Sequence, residues 1–148
     1  MKKIRRNFWL VLVSILLTNC AVQKASLDEN VVAKQLHASD NKAVVYIVRP
    51  SALGFAVKFT VNIDGQYIGA TGGKRFIYAI LDPGKHLIVS HAENKEELEV
   101  NLEANKTYYI EQIPTMGIVM ARNKLKLLDE AEGLEKLERC KLSADYVQ

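Results

Sequence analysis

The stretch "FAVKFTVNIDGQYIGA", residues 55–70, constrains the fold more than any other part of the chain. Phe55, Val57, Phe59, Val61 and Ile63 fall at every second position, with Lys58, Thr60 and Asn62 between them. Side chains on a strand alternate faces, so this period predicts a strand over 55–63 with one buried face. Asp64-Gly65 follows. Both residue types accept the positive φ that the two central positions of a tight hairpin turn require, so the chain is expected to double back here. In that register Val61 faces Ile68 and Asn62 faces Tyr67.

The same period recurs on both sides. "AVVYIVR" from Ala43 is β-branched and aromatic and stops at Pro50. "KRFIYAIL" alternates through Phe76, Tyr78 and Ile80 and ends in Asp82-Pro83-Gly84-Lys85. There the proline fixes φ at the second turn position and Gly84 supplies the positive φ of the third. "HLIVSHA", "ELEVNLE", "TYYIEQI" bounded by Pro114, and "GIVMAR" add further short strands. Sequential hairpins need no crossover helices, so the expected fold is mainly β, an antiparallel seven- or eight-stranded β-sandwich. The period then turns helical. Asp129 with Glu132 forms a capping box, and Ala131, Leu134 and Leu137 share a face, which predicts a C-terminal helix from about 130 to 140. Cys140 continues that stripe and reads as a buried free thiol, with a disulfide between chains as the alternative.

The N-terminus follows different rules. Lys2, Lys3, Arg5 and Arg6 precede the apolar run "FWLVLVSILLT". As a helix, eleven such residues rise only about 16 Å, roughly half a hydrocarbon core, which favours a secretory signal over a membrane span. The run closes on "LTNCA", which resembles the bacterial lipobox: Leu17, Thr18 and Cys20 match, and Asn19 departs from the small residue usual before the cut. The alternatives are an uncleaved anchor or an ordinary signal peptide in which Cys20 is incidental. Under the lipobox reading, cleavage falls between Asn19 and Cys20, and Cys20 carries the acyl chains that hold the protein to membrane lipid. Two or three chains at about 0.8 kcal/mol per methylene anchor a protein durably where one does not. Ala21 after the cysteine leans towards the outer membrane, facing the periplasm, rather than the inner membrane.

The expected organisation is therefore a lipoprotein signal peptide over 1–19, a lipidated tether over 20–42, and a β-sandwich domain with its C-terminal helix over 43–148. In the tether, Ser26 with Glu29 is a possible capping box for a short helix over 27–38. Residues 21–42 would span about 25 Å as coil and about 70 Å extended. Charge supports a surface role without nucleic acid. Removing the four basic residues of the first nineteen takes the net charge from +3 to about −1, which leaves no electrostatic footprint for a polyanion.

"NIDGQYIGA", "LDPGKHLI", "YYIEQ" and "LDEAEGLEKL" are similar to a family of small bacterial lipoproteins whose central domain has no assigned function. The "DG..IG" hairpin followed by "L.PG.H" also resembles PEGA-like domains, small β-sandwiches of bacterial surface proteins. The resemblance covers roughly residues 43–140, rests on turn chemistry, and implies an envelope location and a non-catalytic sandwich.

The residues offer little chemistry. "GATGGKR" lacks the Gly and the Ser or Thr of a phosphate-binding loop and sits between strands. His86 and His91 are five apart on one strand and so face opposite sides, which provides no metal set. Ser90 has no nucleophile elbow. The chain is accordingly read as not an enzyme, with no cofactor and no metal. Asp64, Gly65, Pro83 and Gly84 read as structural turn formers. Phe55, Tyr67 and Tyr109 are candidates for a binding surface, since aromatic side chains give contact area at low entropic cost. The expected function is a tethered binding or structural module with an envelope protein or glycan as partner. A small-ligand carrier or hydrolase of the periplasm is the alternative, and would need a concave pocket lined by convergent polar groups.

Overall fold

A computed structural model describes residues 29–146. The chain divides into two units, residues 1–32 and 33–148. Of the first, residues 29–32 are described and are helical. The expected tether helix over 27–38 is helical at 29–34 and ends there on its C-terminal side, while residues 26–28, with the capping Ser26, lie outside the described residues.

The second unit is mainly β, with strands β1 (Ala43–Arg49), β2 (Phe59–Ile63), β3 (Gln66–Thr71), β4 (Arg75–Leu81), β5 (Gly84–His91), β6 (Lys95–Leu102), β7 (Thr107–Met116) and β8 (Ala121–Leu128). A helix, α1 (Glu130–Glu138), and a two-residue strand, β9 (Lys141–Leu142), complete it. Two sheets form, in the orders β8-β7-β1-β4-β9 and β3-β2-β5-β6. Val45, Ile47, Ile77 and Ile110 of the first sheet and Val61, Ile63, Ile88 and Val100 of the second belong to one buried cluster. That shared core is compatible with the expected sandwich.

The sheets are not wholly antiparallel. β1 pairs antiparallel with β4 but parallel with β7, Val44 opposite Thr107 through Val48 opposite Glu111. The turn at Asp82-Pro83 does not close a hairpin either. It carries the chain from β4 in one sheet to β5 in the other. Among the described residues, only β2-β3, β5-β6 and β7-β8 are hairpins between consecutive strands.

β1 is buried along its whole length because it lies between two strands and under two layers. Its odd residues enter the inter-sheet core. Val44, Tyr46 and Val48 instead meet Phe76, Tyr109, Leu128, Leu137 and Cys140 in a second cluster under α1. Asp129 caps α1 by accepting a hydrogen bond from the Glu132 N–H at 2.8 Å. The packing face of α1 differs from the expected stripe: Gly133 and Leu137 are buried, whereas Ala131 and Leu134 are exposed. Cys140 is a buried free thiol, and burial pushes its pKa up to about 11.

Four local expectations are corrected. The strand predicted over 55–63 begins only at Phe59, because residues 53–57 form a turn around Arg49. Val61 pairs with Gly69, not Ile68, because a bulge after Val61 shifts the register while Asn62 keeps Tyr67. β7 runs through Pro114 instead of ending there. Pro114 opposes Asn123, whose N–H goes to Asn94 Oδ1 at 2.8 Å, and pairing with β1 has already ended at Glu111, so the missing proline donor costs the sheet nothing. "GIVM" is the β7-β8 turn, and the strand is the following "ARNKLKLL".

Candidate functional site

The turn formers converge on one histidine. Asp64 and Gly65 have φ of +52° and +84°, as their two-residue turn requires, and Gly84 is also at positive φ. Asp64 Oδ1 accepts from the Leu87 N–H at 2.9 Å, and Oδ2 lies 2.6 Å from His86 Nδ1. On the other side of the ring, His86 Nε2 lies 2.9 Å from the Asp82 carbonyl, beside Pro83. A carbonyl and a carboxylate can only accept, so the protonated ring, which donates from both nitrogens, is the form these two partners favour. Burial works against that charge, but the bonds to Asp64 and Asp82 outweigh it and raise the His86 pKa. The Leu87 N–H, with His86, lowers that of Asp64. This cluster fastens the two turns to β5, which is a structural task.

The opposite end of the sheets has a different character. Arg49, the last residue of β1, is fully buried. Its guanidinium lies 3.7 Å from the Phe59 ring centroid and donates to the carbonyls of Leu53, Gly54, Val57 and Thr71. Burial lowers its pKa to about 10. Three of those carbonyls, Leu53, Gly54 and Val57, belong to the β1-β2 loop, so a charge in the core shapes a loop on the surface. Beside it, Thr71 donates to Gln112 Oε1 and Gln112 Nε2 to Ser90 Oγ, which pairs three buried polar side chains with one another.

Glu93, in the β5-β6 turn, organises the β7-β8 turn. Its carboxylate accepts the N–H groups of Ile118, Val119 and Met120 at 2.9, 2.8 and 2.7 Å. These bonds, from Ile118 first, hold its pKa down at about 2. The turn's backbone donors are thus satisfied while its side chains face outward: Ile118 is 91 % exposed and Val119 85 %, with Met116 and Met120 beside them. Leu53 and Gly54 of the Arg49 loop join residues 115–121 around a groove of about 350 Å³. Asn94 adds a closure at the edge of β8, accepting from the Asn123 N–H and donating to its carbonyl as a strand neighbour would.

The three candidate surface aromatics do not form one surface. Phe55 is 73 % exposed in the Arg49 loop, and Tyr67 is 44 % exposed at the far end of β2-β3, beside the Asp64-Gly65 turn. Tyr109 is corrected to a core residue, 4 % exposed. It stacks on Tyr46 at 5.5 Å and lies under Gly133 of α1, because α1 covers the outer face of β7. Asn19 and Cys20 lie outside the described residues. Among the described residues, no group of three or more His, Cys, Asp or Glu could hold a metal ion, and no helix is long and apolar enough to cross a membrane. The sequence reading missed the apolar turn because "GIVM" has strand composition. The available signal was Gly117 falling between two alternating segments.

A family model described as "Protein of unknown function (DUF2846)" matches residues 39–124, from the approach to β1 into β8. A protein of Haemophilus influenzae described as uncharacterized is 29 % identical over 137 residues, which cover 90 % of this chain and 82 % of that protein.

Proposed function

The chain belongs to the DUF2846 family of proteins of unknown function, and from that premise we propose that it is a non-catalytic, lipid-anchored module of the bacterial cell envelope. Acyl chains on Cys20 fix it to a membrane, the outer membrane facing the periplasm in preference to the inner, and the tether sets its reach. The β-sandwich, PEGA-like in its turns, presents a rigid surface to an envelope protein or glycan.

The observation that carries the binding-module reading is the filled interior. Val45, Ile47, Val61, Ile77, Ile88 and Ile110 interlock between the sheets with no exposed surface, so contact with a partner falls to the outside. The outer face of the β3-β2-β5-β6 sheet offers Tyr67 and Leu87, exposed among Lys85, Glu97 and Glu99. The alternative, a ligand carrier or hydrolase, needs free convergent polar groups, and the groove beside Phe55 is the candidate with more polar side chains in its lining. There Lys58 pairs with Asp145 at 2.7 Å and Ser143 donates to the Ala70 carbonyl, so the polar groups are engaged with one another.

Labelled palmitate should enter the wild-type chain and not Cys20→Ala, and intact mass should place a modified Cys20 at the mature N-terminus. A chain that begins elsewhere without acylation overturns the anchor. Photo-crosslinkers at Tyr67 and Leu87 in intact cells should trap a partner that a crosslinker under α1 does not. Equal trapping at both removes the sheet face from the proposal.

A further inference from the structure

The apolar loop end is built for contact with something that is not water. β1 and β7 run parallel, so Arg49 and Met116 finish at the same end, and a Cβ on Gly54 would touch Ala121 at 3.0 Å. The β1-β2 and β7-β8 loops therefore bring Leu53, Phe55, Met116, Ile118, Val119 and Met120 to one end of the domain, all exposed. Large side chains grouped in this way are rarely left in water without a use.

Two further observations select the occupant. The first is backbone satisfaction. Entry of a turn into hydrocarbon is opposed by its unpaired N–H groups, and the three at the tip are already bonded to Glu93. The second is charge. The loops at this end carry Lys58 and Lys74 against Glu93 and Asp145, with Lys58 paired to Asp145 at 2.7 Å. The cationic excess comes from exposed Arg122 and Lys124 of β8, next to the tip, and from exposed Arg75 and Lys141 beside Arg49. The turns at the other end carry Asp40, Asp64, Asp82 and Glu103 against Lys42 and Lys106, with Lys42 paired to Asp82 at 2.6 Å and Lys106 to Glu103 at 2.8 Å. The domain is thus cationic and apolar at one end and acidic at the other, which matches an anionic lipid surface.

The point of attachment fits the same orientation. Lys34 donates to the Glu138 carbonyl at the C-terminal end of α1, and Lys141, three residues further, pairs with Arg75, which itself opposes Arg49. The chain therefore enters this unit towards the apolar end. Cys20 precedes Ala33 by thirteen residues, at most about 45 Å when fully extended.

We infer that the β7-β8 tip, with Leu53 and Phe55, inserts into the headgroup boundary of the anionic bilayer to which the chain is anchored. The inference rests on the anchored reading of Cys20. A second contact of this kind turns a loose tether into a fixed orientation, with the Asp64-His86 end pointing away from the lipid.

The test uses the full chain purified from membranes and reconstituted into vesicles of phosphatidylethanolamine and phosphatidylglycerol. Ile118→Cys and, at the other end, Lys85→Cys are each labelled with an environment-sensitive nitrobenzoxadiazole. The probe at 118 should shift to the blue and lose emission to a doxyl-labelled lipid, and the probe at 85 should do neither. Replacing phosphatidylglycerol by phosphatidylcholine should reduce the loss at 118. Water-like, unquenched emission at 118 overturns the insertion even where mass shows Cys20 acylated. A blue shift that grows with protein concentration and ignores the lipid quencher also overturns it, by assigning the tip to a second copy. Label entering Cys20 in the otherwise unsubstituted chain sinks the anchor separately, since it shows that thiol free.

Discussion

His86 Nδ1 lies 2.6 Å from Asp64 Oδ2, and this contact joins two turns that the chain reaches twenty-two residues apart. Because the His86 pKa is raised in the folded state, the imidazolium contributes stability that is complete below the unfolded value near 6.5 and is lost as pH rises through the folded value. Asp64 works in the opposite sense: its lowered pKa contributes stability above the ordinary carboxylate range, lost as pH falls through the folded value. Wild-type stability should therefore decline from about pH 6 into the alkaline range by about 1 kcal/mol, the scale of a partly exposed charged pair. Urea midpoints of wild type and His86→Gln across pH 5 to 9 check this. The difference should shrink as pH rises, and a constant difference would mean that the ring acts by packing alone.

Gly133 of α1 lies directly against the Tyr109 side chain of β7. A Cβ there would lie 2.2 Å from Tyr109 Cγ. Helix propensity alone predicts that Gly133→Ala gains about 1 kcal/mol, while forcing a methyl into a packed ring contact costs about 1–3 kcal/mol. At so short a distance the clash prevails, and the variant should be less stable by about 1–2 kcal/mol in chemical unfolding. Pairing it with Tyr109→Ala tests the cause, because the alanine penalty at 133 should vanish once the ring is gone.

The difference between what was and was not legible follows the range of the forces involved. Asp64-Gly65 and Asp129-Glu132 were readable because each is decided by residues three or fewer apart. The parallel pairing of β1 with β7 was not, since Val44 meets Thr107 through a contact that no local period encodes. Tyr109 was misplaced for a related reason: alternation puts Tyr108 and Tyr109 on opposite faces of β7 without telling which face α1 covers, and α1 covers Tyr109 while the Tyr108 hydroxyl accepts from the Glu103 N–H. Phe55 and Val57 share the strand period of Phe59, yet the three loop carbonyls claimed by Arg49 take them out of the strand.

Arg49 supports a prediction in which charge and shape separate. Three carbonyls of the β1-β2 loop and that of Thr71 lose their donor in Arg49→Ala, and the ring of Phe59 loses its cation. Buried acceptors left unpaired cost about 1–3 kcal/mol each before relaxation, and the loop can turn most of them to water, so a net loss of about 3 kcal/mol is expected. Arg49→Lys keeps the charge but not the planar fork, and should recover less than half of it. Thermal unfolding of the three proteins gives the order, and near-wild-type stability for the lysine variant would show that charge alone suffices.

Glu93 should set the order of the tip independently of the rest of the domain. Its depressed pKa means that the loop's stabilisation is complete above the unfolded value near 4.5 and is lost only as pH falls through about 2. The carboxylate therefore stays charged under all ordinary conditions, and the tip should be insensitive to mild acid. Glu93→Gln offers one carbonyl where two carboxylate oxygens accept three N–H groups. Hydrogen exchange at Ile118, Val119 and Met120 should then lose protection while the amides of β1 keep theirs, because the bonds removed are local to one turn. Loss of protection throughout both sheets would instead make Glu93 a support of the whole fold.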